Sequence, residues 1–155
     1  MTPNAIACSD WRLYVIVDRT TAKTRDLAEV AEAAIRGGAD VLQLRDKAAS
    51  DEALLEEARR LLRLTRRAGI PLILNDRTEV ARAVGAEGVH LGQEDLPLSA
   101  ARRLLGPNAI LGKSTHSLAQ ALAAEAEGAD YIGCGPVFAT PTKPDYAGVG
   151  LGLIA

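Results

Sequence analysis

One device recurs at three helix ends in this sequence: GGADV at 37–41, GAEGV at 85–89 and GADY at 128–131 each set a glycine stop just ahead of an apolar strand. Glycine tolerates the left-handed conformation that closes a helix, and the chain then has only a few residues in which to begin a strand. Repetition of helix, stop and strand restricts the chain to β/α units, whose parallel strands are joined by helical crossovers.

The remaining pattern agrees. Short apolar runs at 13–17, 41–44, 71–75, 88–91, 110–113 and 131–134 read as six strands. Runs apolar throughout suit strands covered on both faces, as in parallel sheets. Between them lie five helical stretches, at 26–36, from Ser50 or Asp51 to Ala68, and at 80–84, 99–105 and 117–127. Leu27, Val30, Ala31, Ala34 and Ile35 mark the buried stripe of the first, and Leu54, Leu55, Ala58, Leu61 and Leu62 that of the second. A doubly wound sheet and a (β/α)8 barrel both satisfy this alternation. A full barrel needs eight units in about 200 residues or more, and 155 residues hold about six.

Polar residues at the strand ends separate the two architectures. Within 41–47, Leu42 and Leu44 share one face, and Gln43, Arg45 and Lys47 the other. Two cations ending a strand fit an anion site for phosphate or diphosphate; a strand running into a solvated charged loop is the plainer alternative. Polar groups follow nearly every other strand: Asp18 and Arg19, Asn75 and Asp76, His90 with Gln93 to Asp95, Lys113 to His116, and Thr140 to Lys143. They meet at one mouth only if the strands curl around it, and no Gly-x-Gly-x-x-Gly follows the first strand. The expectation is an α/β fold of (β/α)8 TIM-barrel type. It is read as one domain over 1–155, C-terminally truncated to about six units, with 1–11 as an N-terminal extension.

Five motifs then carry a resemblance: QLRDK at 43–47, NDR at 75–77, VHLGQED at 89–95, GKSTH at 112–116 and GPVFATPTK at 135–143. In this order and spacing the chain resembles the thiamine-phosphate synthase family. The resemblance implies a transferase of thiamine biosynthesis. Such an enzyme joins 4-amino-5-hydroxymethyl-2-methylpyrimidine diphosphate to a thiazole phosphate and releases diphosphate. It implies that Gln43, Arg45, Lys47, Asn75, Ser114 and Lys143 bind the pyrimidine diphosphate, with Arg45, Lys47 and Lys143 as the catalytic cations. Asp76 and Asp95 would hold Mg2+, and Thr140 and Thr142 would contact the thiazole phosphate.

Residue by residue, other readings stand beside these. Asp95 before Leu96 and Pro97 also fits a turn, Asp76 a helix cap, and Lys143 a solvated loop. His90, flanked by the apolar Val89 and Leu91, is expected to face the barrel interior as a pocket-lining side chain. Cys134 is expected to be a small buried apolar residue, and Ser114 to His116 lack the strained elbow of a hydrolase nucleophile. The alternatives for function are a thiazole tautomerase-like isomerase on the same barrel and a non-catalytic substrate-binding fragment. The paired aspartates weigh against the isomerase.

Composition bounds the rest. Hydrophobic residues make up 48% and aromatics 3%, so the core must be aliphatic, and a net charge of -2 without a basic block favours neither nucleic acid nor an anionic membrane. Cys8 and Cys134 lack metal-ligand spacing, and no run approaches a membrane span. The expected partners are small-molecule substrates, with a homo-oligomer compatible and the cytoplasm the expected location.

Overall fold

A computed structural model describes residues 8–140 and 147–154 of the chain. Six parallel strands, β1 (Tyr14–Asp18), β2 (Val41–Arg45), β3 (Leu72–Asn75), β4 (Gly88–Leu91), β5 (Ile110–Thr115) and β6 (Tyr131–Cys134), form one sheet. They lie in chain order, β1-β2-β3-β4-β5-β6. A doubly wound sheet must reverse its strand order at a switch point; here it never reverses. Every right-handed crossover therefore places its helix on the same side, which is the barrel arrangement.

The curl can be measured at the sheet's two edges. Laid flat, β1 and β6 would stand about 24 Å apart at the usual strand spacing, farther than two tyrosine side chains can bridge. Yet the Tyr14 and Tyr131 hydroxyls lie 2.7 Å apart. The six strands thus form a curled part-barrel with one side-chain face turned inward.

The helices are α1 (Arg19–Ala22), α2 (Leu27–Arg36), α3 (Asp51–Ala68), α4 (Thr78–Val84), α5 (Leu98–Leu105) and α6 (Leu118–Ala126). The short α1 lies outside the five expected helical stretches; Asp18 starts it by accepting from the Thr21 N–H at 2.8 Å. Ser50 caps α3 through the Ala53 N–H, and Gly69, at φ 73°, closes it. β5 runs two residues beyond the expected Lys113 because Ser114 and Thr115 keep pairing, with Gly133 and Cys134.

The core lies between the convex face of the sheet and the helices. Leu42, Leu44, Leu72, Leu74, Val89, Leu91 and Leu111 face outward into it and meet Leu27, Leu54, Ala58, Leu61, Val80, Leu98 and Ala101. The period-2 alternation leaves the other set of side chains, including Gln43, Asn75, His90 and Ser114, for the concave side. Toward the free edges apolar side chains remain exposed: Ile16 at 51% and Ile132 at 38%, with Leu118 and Leu122 on α6 at 65% and 56%. Among the described residues no helix is long and apolar enough to cross a membrane.

Candidate active site

The concave side holds a cavity of about 460 Å3 whose walls come from all six strands, with Gln43, Arg45, Asn75, His90 and Ser114 contributing polar atoms. These five expected site residues are brought together. Tyr14 and Ile16 from β1, and Tyr131 to Pro136 from β6 onward, complete the lining.

On β2, Gln43 is 2% exposed and its Nε2 donates to the Tyr14 hydroxyl at 2.7 Å. Arg45 pairs with Asp18, its register partner across β1 and β2. Burial alone would raise the Asp18 carboxyl, but the Thr21 N–H and the Arg45 guanidinium outweigh it and hold it below the usual range. A cation so tied keeps its remaining donors aimed in a fixed direction.

Across the cavity His90 and Ser114 meet, with His90 Nε2 2.9 Å from Ser114 Oγ. His90 Nδ1 lies 3.1 Å from the Tyr131 hydroxyl, and the two rings are 5.5 Å apart. Gly112 makes this meeting possible. A Cβ there would collide with the Tyr131 ring and with His90 Nδ1. Beneath them Trp11 packs edge-on against Tyr14 at 5.9 Å and Tyr131 at 5.3 Å. Burial pushes the Tyr14 phenol up to about 12, and burial followed by Tyr14 itself pushes Tyr131 well above its ordinary value. Both hydroxyls therefore stay protonated at neutral pH.

The acidic pair sits beside the cavity, outside its lining. Asp76 follows β3 in a left-handed conformation, φ 63°, with its N–H bonded to the His90 carbonyl at 2.9 Å. That conformation costs a non-glycine residue about 1 kcal/mol, and aspartate is among the few residues that adopt it as single positions. α4 has Arg77 at its cap position without a side-chain cap bond, so the Asp76 carboxylate does not serve as the helix cap. Burial, then the nearby Asp95 carboxylate, raises Asp76 to about 6 against the pull of Lys47 and Arg45. Lys47, 64% exposed in its side chain, stands 3.9 Å from Asp76 Oδ2. Asp95 also accepts from the Gly92 N–H at 2.6 Å, so it closes a turn as well as facing Asp76.

The other expected residues fall elsewhere. Thr140 is half-buried and not part of the cavity lining, while Thr142 and Lys143 lie outside the described residues. Cys134 is only half-buried and lines the cavity, contrary to its expected core position, because β6 is the edge strand of the sheet among the described residues. The sequence reading placed Asp18 among the strand-end polar groups but missed Tyr14 and Tyr131 as site residues. The period-2 spacing of Tyr14, Ile16 and Asp18 on β1 was the available signal, since it repeats the Gln43 and Arg45 pattern of β2.

Comparison with known proteins agrees with this geometry. Residues 13–155 match the family described as thiamine monophosphate synthase. A thiamine-phosphate synthase from Chloroflexus aurantiacus is 57% identical over 138 residues, which cover 89% of this chain and 63% of that protein. One from Shouchella clausii is 56% identical over 135 residues, covering 87% and 65%. A solved structure, the thiamine phosphate pyrophosphorylase from Pyrococcus furiosus, superposes with a TM-score of 0.82 at 40% identity, over 93% of this chain and 67% of that one. The chain thus spans about two thirds of the length of these relatives. A 3-dehydroquinate dehydratase from Geobacillus kaustophilus, at 20% identity and a TM-score of 0.61, shares the fold alone. With a part-barrel of matching topology and a match running from Leu13 to the end, the chain belongs to the thiamine monophosphate synthase family.

Proposed function

We propose that the cavity binds 4-amino-5-hydroxymethyl-2-methylpyrimidine diphosphate and transfers its pyrimidinylmethyl group to a thiazole phosphate, giving thiamine phosphate and diphosphate. The observation that carries this reading is the concentration of Gln43, Arg45, Asn75, His90 and Ser114 in one cavity, with Lys47 and the Asp76 and Asp95 carboxylates beside it.

The reaction asks little covalent chemistry of the protein. The carbon–oxygen bond to the diphosphate breaks with its electron pair leaving on oxygen, and the aminopyrimidine ring supports the resulting carbocation. The thiazole nitrogen then supplies the pair that forms the new carbon–nitrogen bond. No proton need move in the bond-making step. The protein's contributions are proximity and neutralisation of charge on the departing diphosphate. Arg45, oriented by Asp18, offers a planar fork of donors, and Lys47 a mobile point charge. Asn75 adds an amide donor, and Lys143, by its place in the GPVFATPTK motif, a third cation. Thr140 and Thr142 of the same motif are assigned to the thiazole phosphate.

The donor set suits Mg2+. Two carboxylates pressed together, one raised to about 6 by burial and by its neighbour, form a locus short of positive charge. No cluster of three or more acidic, His or Cys side chains stands around them among the described residues. Such a pair leaves coordination positions for phosphate oxygens and water, as Mg2+ requires. Held by Asp76 and Asp95, the ion would supply charge neutralisation to the diphosphate.

The test is to supply both substrates to the 155-residue chain and quantify thiamine phosphate and diphosphate. One-to-one appearance of the two products, dependent on Mg2+ and lost in Asp95→Ala, supports the transferase. Tight binding of the pyrimidine diphosphate without any product would replace it with a binding role.

A further inference from the structure

Five side chains form one hydrogen-bonded line across the cavity, drawn from five of the six strands. Gln43 Nε2 is 2.7 Å from the Tyr14 hydroxyl, which is 2.7 Å from that of Tyr131. Tyr131 reaches His90 Nδ1 at 3.1 Å, and His90 Nε2 reaches Ser114 Oγ at 2.9 Å.

The line has a direction because each hydroxyl carries a single hydrogen and an amide nitrogen can only donate. Gln43 gives an N–H to Tyr14; the reverse order along the rest of the line would leave the buried Tyr14 hydrogen without an acceptor, so that hydrogen is assigned to the Tyr131 oxygen. The Tyr131 hydrogen in turn goes to His90 Nδ1, which must then be the bare ring nitrogen. The His90 proton sits on Nε2 and is donated to Ser114 Oγ. Among the described residues two groups are left over at the ends: the Ser114 hydroxyl hydrogen, a donor, and the Gln43 carbonyl oxygen, an acceptor. Both residues line the cavity.

We infer that Tyr131 is a positioning residue that sets the polarity of this line, so that the cavity presents a donor at Ser114 and an acceptor at Gln43 to a heteroaromatic ring. A ring nitrogen complements the donor and an exocyclic amine complements the acceptor. A 4-oxo ring in place of the 4-amino one reverses both requirements and meets two mismatches. Buried polar groups left unpaired in this way are what give a site its discrimination. The choice of ligand rests on the proposed pyrimidine site, whereas the polarity of the line does not.

The experiment is nitrogen NMR of the full chain labelled at histidine, at pH 8 without substrate, with the two histidines assigned through His116→Gln. The expected result is a neutral His90 carrying its proton on Nε2. Tyr131→Phe, which keeps the ring packed on Trp11 and Tyr14 but deletes the hydroxyl, is expected to yield a mixture of tautomers. A proton on Nδ1 in the parent chain, or an unchanged tautomer in Tyr131→Phe, overturns the inference. Affinities for 4-amino-5-hydroxymethyl-2-methylpyrimidine and its 4-oxo analogue give the second readout. The parent should favour the amine roughly tenfold or more, and Tyr131→Phe should compress the preference to within about threefold; an undiminished preference would also overturn it. Because the tautomer is read without ligand, failure of the substrate assignment leaves that result intact and separately interpretable.

Discussion

Arg45 and Asp18 are register partners on β2 and β1, and their side chains form an ion pair at the mouth of the cavity. The pair fixes the guanidinium before any ligand arrives, so anion binding need not order it. Lysine at position 45 would keep the charge and lose the fork that serves Asp18 and a ligand together. Arg45→Lys should weaken inorganic diphosphate binding about tenfold, and Arg45→Ala about a hundredfold, by the usual worth of charged hydrogen bonds. Calorimetric titration measures both, and the neutral pyrimidine alcohol should bind the Lys variant as it binds the parent.

The acidic pair carries a pH signature. The Asp76 carboxyl is raised to about 6 from an ordinary 3.8, first by burial and then by Asp95. A raised carboxyl favours the folded state fully below its unfolded value, and that contribution disappears as pH rises through the folded value. In chelator, the parent should therefore lose thermal stability relative to Asp95→Asn as pH rises from about 4 to about 6, since the substitution removes one cause of the shift. Mg2+ at pH 7 should raise the melting temperature of the parent and leave that of Asp95→Asn almost unmoved. Parallel melting curves for the two chains across this range would contradict the pairing.

Gly112 is required by the ring that crosses it. Gly112→Ala forces its new methyl against Tyr131 and His90, and overpacking of this kind costs about 1–3 kcal/mol. Urea denaturation measures that loss, and the nitrogen spectrum of His90 should change with it.

Outward-facing and edge leucines should differ sharply. Leu74 is fully buried between β3 and the helices, and Leu74→Ala should cost about 2–5 kcal/mol in urea denaturation. Leu118 and Leu122 are exposed on α6, so Leu118→Gln or Leu122→Gln should stay within about 0.5 kcal/mol of the parent.

Much of this arrangement was legible in the sequence, for local reasons. Alternation within 41–47 placed Leu42 and Leu44 in the core and Gln43 and Arg45 in the cavity because the β1–β2 register runs without a bulge and its side chains alternate. The flanking of His90 by Val89 and Leu91 worked for the same reason. Contacts that depend on curvature were not legible. Tyr14 and Tyr131 are 117 positions apart and meet only because six strands bend their edges together. The left-handed turn at Asp76 was equally hidden, since aspartate tolerates positive φ without requiring it. Asp95 was expected either to start a turn before Leu96 and Pro97 or to serve a metal; it accepts from the Gly92 N–H behind it and stands beside Asp76, a proximity that depends on the curl of the sheet.

The central claim, that the strand-end cations and the aspartate pair form one diphosphate site, is tested most directly by a single titration. Pyrimidine diphosphate is titrated into the 155-residue chain with Mg2+ and with chelator, alongside Asp95→Ala. Binding strengthened by Mg2+ in the parent, and insensitive to Mg2+ in Asp95→Ala, is the predicted result. Equal affinity in all four titrations would contradict it and detach the acidic pair from the cavity.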